Sequence, residues 1–230
     1  MKHEIAEAAA MERARARLYT FFSDLLLNPP TAERLDKLFT VAGETAMEML
    51  FPGHPDVETF KQISWRHRFG RRQDQDFLLD YEALFRVPGE SYVHPFESVY
   101  RQHDDPHAKG GKAALWGREA REVAQLYKDE GLQPREHFDG LPDHLGVELE
   151  FVAFLSCKCA AAMECGDQDK AQGFYAKRAA FLAEHLLAWS GKCLTRVGQN
   201  ASTPFYAALA ALLKSFLEDE KYQMLEAANF

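Results

Sequence analysis

The segment that decides the fold is Asp80-Tyr81-Glu82-Ala83-Leu84-Phe85, which closes a helical stripe of apolar side chains. Phe77, Tyr81, Leu84 and Phe85 follow one another at intervals of four, three and one residues. This spacing is the period of one face of an α-helix, so the segment predicts a helix that buries this face.

Two further segments mix aromatic and polar side chains in the same way: His94-Pro95-Phe96-Glu97-Ser98-Val99-Tyr100 and Leu141-Pro142-Asp143-His144-Leu145. In the second of these, Asp143 is predicted to be the N-cap of the helix that follows. Glu97-Ser98 in the first is predicted to begin a short helix. Neither segment pairs a nucleophile with a base, and loops carried by rigid helices are where binding residues concentrate. The segments therefore favour recognition of a partner over catalysis.

Helical periodicity continues through the rest of the chain, and no stretch alternates with a period of two for long enough to predict a strand. We predict an all-α fold of about eight to nine helices. Residues 1–230 are expected to form a single globular domain. A weak hinge is expected near residues 133–142, where proline and glycine occur together.

Several helix boundaries follow from start and stop residues. The first long helix is predicted to end at Asn28-Pro29-Pro30 and to bury Met11 on its apolar face. Thr31 is predicted to cap one helix that continues to Phe51-Pro52-Gly53. Gly191 to Ser202 is predicted to be a connector, followed by a helix that begins at Thr203-Pro204.

Composition excludes several classes of function. The 230-residue chain has a net charge of −8 and a pI near 5.6, which argues against a nucleic-acid partner. A mean hydropathy of −0.37 and the absence of a long apolar run argue against membrane insertion. Charged residues interrupt the start of the chain, so no signal peptide is predicted and a cytoplasmic location is expected.

The four cysteines are predicted to be reduced in the cytoplasm and buried as small core residues. Cys157 and Cys159 lie two residues apart in a predicted helix, a spacing that points them to different sides and suits chelation poorly. No metal site or cofactor is predicted from them.

A metal-dependent phosphohydrolase is the enzymatic alternative. His103-Asp104-Asp105-Pro106-His107 places several potential metal ligands close together, with His103 and Asp104 as the central pair. Such a pair needs a helix to fix both side chains, whereas the adjacent proline and glycines predict a loop. No catalytic residue is therefore assigned.

Taken together, the three segments resemble the TorD/DmsD family of redox-enzyme maturation chaperones, all-α proteins related to NarJ. That family shows a Tyr-x-x-Leu-Phe element, a Pro-x-Glu-Ser-x-Tyr element and a Pro-Asp-His element. They correspond here to Tyr81–Phe85, Pro95–Tyr100 and Pro142–His144. Two positions depart from the pattern: Phe96 stands where some members carry Trp, and Leu141 stands where the DmsD branch has an acidic residue.

The resemblance implies a chaperone that binds the twin-arginine signal peptide, or the apo form, of a molybdenum-cofactor oxidoreductase subunit and delays its export. The residues expected to bind this peptide are Tyr81, Phe85, Glu90, Tyr92, Pro95, Phe96, Glu97, Ser98, Tyr100, Pro142, Asp143 and His144. Their carboxylates would pair with arginines through charge-assisted hydrogen bonds, and their aromatic rings would cover the apolar part of the peptide.

Other interpretations stay open at this point. A helical adaptor would bind a folded subunit that lacks its leader. The client itself, whether trimethylamine oxide reductase, dimethyl sulfoxide reductase or formate dehydrogenase, is not specified by the sequence. Nucleotide binding also stays open, although no nucleotide motif is present, and a domain-swapped homodimer is compatible with the predicted connectors.

Overall fold

The computed structural model describes residues 2–70, 72–101, 117–132 and 140–228. Within these residues the regular structure is helical without a strand, which confirms the all-α prediction. The helices are α1 (Lys2–Leu27), α2 (Ala32–Leu38), α3 (Val41–Leu50), α4 (Pro55–Arg68), α5 (Asp74–Tyr81), α6 (Glu97–Arg101), α7 (Arg118–Asp129), α8 (Leu145–Glu164), α9 (Gln168–Phe181), α10 (Leu187–Asn200) and α11 (Pro204–Ala228). Two π-helical turns, Glu82–Arg86 and Leu182–Leu186, follow α5 and α9.

The described residues divide into two compact units, each made from separate parts of the chain. The first unit contains the described residues of Met1–Leu27, Pro95–Ser190 and Lys221–Phe230. Within it, α1 packs against α8, and α8 packs against α9. Tyr19 and Leu149 are among the side chains that are fully buried in its core.

The contact of α1 with α8 is close because α8 begins with Leu145-Gly146. Ser23 Oγ on α1 donates to the carbonyl of Gly146 at 2.7 Å. A Cβ atom at position 146 would lie 2.6 Å from Cγ of Leu27, closer than real Cβ atoms approach other heavy atoms. Glycine at this position therefore allows the end of α1 to pack against the first turn of α8.

A buried ion pair joins α1 to α9 in the same unit. Arg178 Nη1 donates to Glu12 Oε2 at 2.9 Å, and both residues are 3% exposed. Arg15 Nη1 donates to the other carboxylate oxygen of Glu12 at 2.7 Å. Because two guanidinium groups satisfy this carboxylate, the charge of Glu12 is buried without being left uncompensated.

The second unit contains Asn28–His94 and Gly191–Glu220. Phe39 lies at the centre of its aromatic core, with ring centroids 5.5 Å from Phe60, 6.2 Å from Phe77 and 5.7 Å from Phe205. These separations are in the range in which aromatic pairs attract one another. Phe77 of the predicted helical stripe is thus confirmed as a core residue.

Two predicted elements are wrong in their extent. The single helix expected from Thr31 to Phe51 is divided into α2 and α3, because the backbone leaves the helical conformation at Phe39 and Thr40 and Thr40 caps α3 by accepting from the Gly43 amide. The connector expected at Gly191 to Ser202 is helical as far as Asn200. Glycine lowers helix propensity by about 1 kcal/mol, which packing readily overcomes.

Three residues that were expected to be buried are exposed. Met11 is 57% exposed, because the buried side of α1 includes Glu12, one residue further on. Cys157 and Cys165 are also exposed, whereas Cys159 and Cys193 are buried as predicted.

The single domain and the hinge near residues 133–142 stay predictions, and residues 133–139 lie outside the described part of the chain. Among the described residues, no helix combines the length and the apolar character needed to span a lipid bilayer.

Candidate functional site

The second and third sequence segments pair with each other inside the first unit. The Leu145 amide donates to the carbonyl of Pro95 at 2.8 Å, and the Glu97 amide donates to the carbonyl of Asp143 at 3.0 Å. These bonds form an isolated antiparallel bridge. Two motifs that are distant in the sequence are therefore joined backbone to backbone.

His144 is the N-cap of α8, so the prediction that Asp143 occupies this position is wrong by one residue. His144 Nδ1 accepts a hydrogen bond from the Gly146 amide at 3.0 Å, and its ring lies 5.4 Å from that of Phe96. Burial lowers the pKa of His144 from 6.5 to about 4, so the ring is neutral near pH 7. A neutral ring is required here, because a protonated Nδ1 could not accept this hydrogen bond.

Asp143 stabilises a different helix from the one expected. Its Oδ2 atom accepts a hydrogen bond from the Ser98 amide at 2.9 Å, in the first turn of α6. The side chain is fully buried, and this burial raises the pKa of its carboxyl group. Asp143 thus fixes the start of α6. The short helix predicted to begin at Glu97-Ser98 is confirmed.

Glu97 is also fully buried, and its carboxylate contacts the side chains of Arg101 and His185. Its Oε1 accepts from Arg101 Nη1 at 3.0 Å, and its Oε2 lies 2.9 Å from Nδ1 of His185. His185 comes from the π-helical turn Leu182–Leu186. π-Helical turns inside longer helices frequently occur at functional sites.

Glu148 lies beside Glu97 and was not predicted as a site residue. Trp189 Nε1 donates to Glu148 Oε2 at 3.1 Å. Burial, followed by the charge of Glu97, raises the pKa of Glu148 well above its usual value. The sequence contained a sign of this: Glu148 shares an apolar helix face with Leu145 and Val152, where an acidic residue is unusual.

Aromatic side chains complete the surroundings of these carboxyl groups. The ring of Tyr100 stacks on that of Trp189 with centroids 5.5 Å apart. From α7, Tyr127 donates its hydroxyl to the carbonyl of Pro142 at 3.0 Å. Burial raises the pKa of Tyr127 well above its usual value, so the hydroxyl keeps its proton.

The first segment belongs to the second unit, where its aromatic rings pack in the core. The Tyr81 ring lies 5.5 Å from that of Phe85, which lies 5.7 Å from that of Tyr206. Burial raises the pKa of Tyr81 to about 12. The Val93 amide donates to the carbonyl of Leu84 at 2.8 Å, which ties the following loop to the π-helical turn.

Asp80, immediately before Tyr81, holds the start of α11. Its Oδ1 accepts from the Ser202 amide at 2.9 Å, while its Oδ2 accepts from the Thr203 amide at 2.9 Å and from the Thr203 hydroxyl at 2.6 Å. The carboxylate therefore satisfies donors that the helix itself leaves unpaired. The sequence does not indicate this role of Asp80, because the residues that it contacts are more than a hundred positions away in the chain.

The twelve predicted binding residues are divided between the two units and differ in exposure. Eight are buried: Tyr81, Phe85, Pro95, Glu97, Ser98, Tyr100, Asp143 and His144. The four that reach solvent are Glu90, which is exposed, and Tyr92, Phe96 and Pro142, which are partly buried. In this conformation, the carboxylates of Glu97 and Asp143 contact the protein itself, so direct contact with a peptide stays a prediction.

The residues of the enzymatic alternative, His103 and Asp104, lie outside the described part of the chain. Within residues 2–70, 72–101, 117–132 and 140–228, no group of three or more His, Cys, Asp or Glu side chains is arranged to hold a metal ion. The described residues therefore supply no observation in favour of the phosphohydrolase.

With its helical fold and the paired motifs in view, this chain belongs to the nitrate reductase delta subunit family, which residues 55–195 match. This match confirms the family predicted from the three motifs. Among curated relatives, the chain is similar to the chaperone protein TorD of Shewanella pealeana, with 24% identity over 94% of this chain and 92% of the relative. It is also similar to TorD of Shewanella loihica, with 28% identity over 87% of this chain and 88% of the relative.

A solved structure from Archaeoglobus fulgidus, described as a candidate redox enzyme maturation protein, is also similar. It covers 89% of this chain and 93% of its own, with 18% sequence identity and a TM-score of 0.47.

Proposed function

We propose that this chain is a maturation chaperone, without enzymatic activity, that acts in the cytoplasm on the catalytic subunit of a molybdenum-cofactor oxidoreductase. It binds the twin-arginine leader, the apo form, or both, and delays export until the cofactor is inserted. The observation that carries this proposal is the similarity to TorD chaperones over more than nine-tenths of both chains.

Charge and exposure support the same proposal. The net charge of −8 favours association with a basic peptide, because long-range attraction raises the rate of encounter. We assign direct peptide contact to the four predicted residues that reach solvent: Glu90, Tyr92, Phe96 and Pro142. The eight buried residues hold the backbone of their own unit in place and thereby reduce the entropy lost on binding.

The first test is co-purification from the native host under anaerobic growth, followed by mass spectrometry of the captured proteins. The proposal predicts recovery of one molybdoenzyme catalytic subunit that still carries its leader. Recovery of a mature subunit without leader, together with no affinity for the isolated leader peptide, would favour a helical adaptor. Gel filtration of the same preparation tests whether the chain forms the homodimer that the sequence left open.

The second test measures the affinity of the leader peptide by calorimetry. Phe96→Ala removes a partly buried ring, and Glu90→Gln removes an exposed charge without changing shape. Each should weaken binding about threefold to tenfold, since rim contacts contribute modestly. Phe69→Ala and Glu58→Gln are matched controls because both side chains are exposed and lie outside the three motifs. Equal affinities in all four variants would refute the assigned contacts.

A further inference from the structure

His67 of α4 lies between two carboxylates that come from other elements of the second unit. Its Nε2 atom lies 2.8 Å from Oδ1 of Asp36 on α2, and its Nδ1 atom lies 3.2 Å from Oδ1 of Asp74, the first residue of α5. The His67 side chain is 4% exposed. Both nitrogens of one buried ring therefore face a carboxylate oxygen.

These two contacts indicate the charge state of the ring. A neutral imidazole carries a proton on one nitrogen and a lone pair on the other. If Nε2 donates to Asp36, a neutral ring would turn the lone pair of Nδ1 toward the Asp74 oxygen. Those two atoms are buried, and neither has a hydrogen-bond partner among the described residues. A proton on Nδ1 makes their contact an attractive ion pair instead of a repulsive one.

The balance of charge favours the same state. Nη2 of Arg72 lies 3.1 Å from Asp36 Oδ1 and 2.7 Å from Asp74 Oδ2, so the two carboxylates share this guanidinium group. The hydrogen bond from His67 is the first of the effects that hold the pKa of Asp36 below its ordinary value, so this carboxylate is ionised at neutral pH. A protonated His67 gives the four residues two positive and two negative charges, whereas a neutral ring leaves an excess negative charge against a buried side chain.

We propose that His67 carries a proton on both ring nitrogens at neutral pH, and that this imidazolium links α2 to α5 through Asp36 and Asp74. The link stabilises the start of α5, the helix that leads into the π-helical turn of the first motif. Loss of the Nδ1 proton at higher pH leaves a lone pair against the Asp74 carboxylate and weakens the link. The proton comes from solvent and returns to it, so no other reactant is needed.

The other groups around His67 do not replace this proton. On α4 itself, Arg68 is engaged with Glu44 of α3. At the end of α2, the ring of Phe39 lies 5.1 Å from that of His67 and carries no charge. Arg72 contacts the same two carboxylates and does not lose its proton in the accessible range of pH. Histidine is therefore the residue type of this cluster whose charge can change as pH rises from neutral.

The sign of the pH dependence follows from linkage. The folded unit holds the proton between two carboxylates, whereas histidine in an unfolded chain releases it around its ordinary pKa of about 6.5. Above this pH the folded state carries more protons than the unfolded state, so stability falls as pH rises. The equilibrium constant for closing the link is expected to fall by up to tenfold per pH unit, until the folded protein releases the proton.

Nitrogen NMR of the full chain, labelled with ¹⁵N-histidine, tests the charge state. At pH 7, both ring nitrogens of His67 should give the signals of protonated nitrogens, and His67→Gln should remove this pair of signals. Asp74→Asn should release the proton from Nδ1, because it removes the carboxylate that this atom faces. Asp76→Asn is the matched control, since Asp76 is exposed two residues further along α5, and it should leave both signals unchanged.

Amide hydrogen exchange tests the link between the helices. The Phe77 amide donates to the carbonyl of Gln73 at 2.9 Å, in the first turn of α5. Its protection factor should fall between pH 7 and pH 9 in the wild type, by up to tenfold per pH unit, and stay level in His67→Gln. Asp76→Asn should show the pH dependence of the wild type.

Three results would overturn the proposal. One is a wild-type His67 whose Nδ1 carries no proton at pH 7. Another is a proton that stays on Nδ1 in Asp74→Asn, which would show that this carboxylate does not hold it. The third is an equal pH dependence of Phe77 protection in the wild type and His67→Gln. Should His67→Gln fail to fold, the wild-type and Asp74→Asn spectra decide the matter, because the ring signals can be assigned through the backbone.

Discussion

Replacement of Asp80 by asparagine should destabilise the second unit strongly, although the two side chains have nearly the same shape. The Asp80 carboxylate is 1% exposed and accepts three hydrogen bonds from Ser202 and Thr203 at the start of α11. An asparagine can offer one oxygen to these donors, and its amide nitrogen would then face a backbone N–H group. The substitution therefore removes charge and creates a clash between two donors.

The magnitude follows from the three bonds. A hydrogen bond to a charged group contributes about 1.5–3 kcal/mol, against about 0.5–1.5 kcal/mol for a neutral one. Asp80→Asn loses one bond and weakens two, so the free energy of unfolding should fall by about 3 kcal/mol. Asp80→Ala loses all three and leaves buried donors unpaired, so we expect about 5 kcal/mol. Either loss is a large part of the stability of an ordinary domain.

Chemical unfolding followed by circular dichroism measures these differences. Asp76→Asn is the matched control, since Asp76 lies one turn earlier on α5 and is exposed. It should change stability by less than about 0.5 kcal/mol. A double-mutant cycle with Thr203→Ala should give a coupling energy of about 2 kcal/mol for the hydroxyl bond. Equal stabilities of Asp80→Asn and Asp76→Asn would refute the role of the charge.

Three further predictions concern the first unit. Glu12→Ala removes the carboxylate that the buried Arg178 guanidinium contacts and should cost about 3–5 kcal/mol in urea unfolding. Glu12→Leu combined with Arg178→Met should restore most of this loss, and a full loss in the double variant would contradict the prediction. Gly146→Ala places a Cβ 2.6 Å from the facing leucine of α1 and should cost about 1–3 kcal/mol in thermal unfolding, while Gly173→Ala, with open space around it, should gain about 0.5–1 kcal/mol. The prediction requires that these two substitutions change the free energy of unfolding in opposite directions. His144 takes up a proton less readily when folded, so stability should fall from pH 6.5 toward pH 4 by up to about 3 kcal/mol. His144→Asn keeps a capping side chain and should remove this acid dependence in pH-resolved unfolding.

The sequence predicted helix boundaries correctly where the boundary depends on interactions between residues that are close together in the chain. Thr31 caps α2 through the Arg34 amide, and Pro204 begins α11, both as predicted. The family was also predictable, because its three motifs are short runs of contiguous residues. The break at Thr40 and the helical course of residues 191–200 were missed, since packing outweighs the small propensity differences that a sequence displays.

The sequence by itself determined the helical class, most helix ends and the segments that matter, because helical period, caps and motifs all act over a few residues. Only the tertiary structure determined which residues those segments contact. Ser98 meets Asp143 across 45 residues, and Glu97 meets His185 across 88. Motif residues that were predicted to contact a partner, such as Glu97 and Asp143, are instead buried and contact residues of their own chain. The pKa of Glu148 depends on such contacts, because burial and a neighbouring carboxyl group act through space and not along the chain.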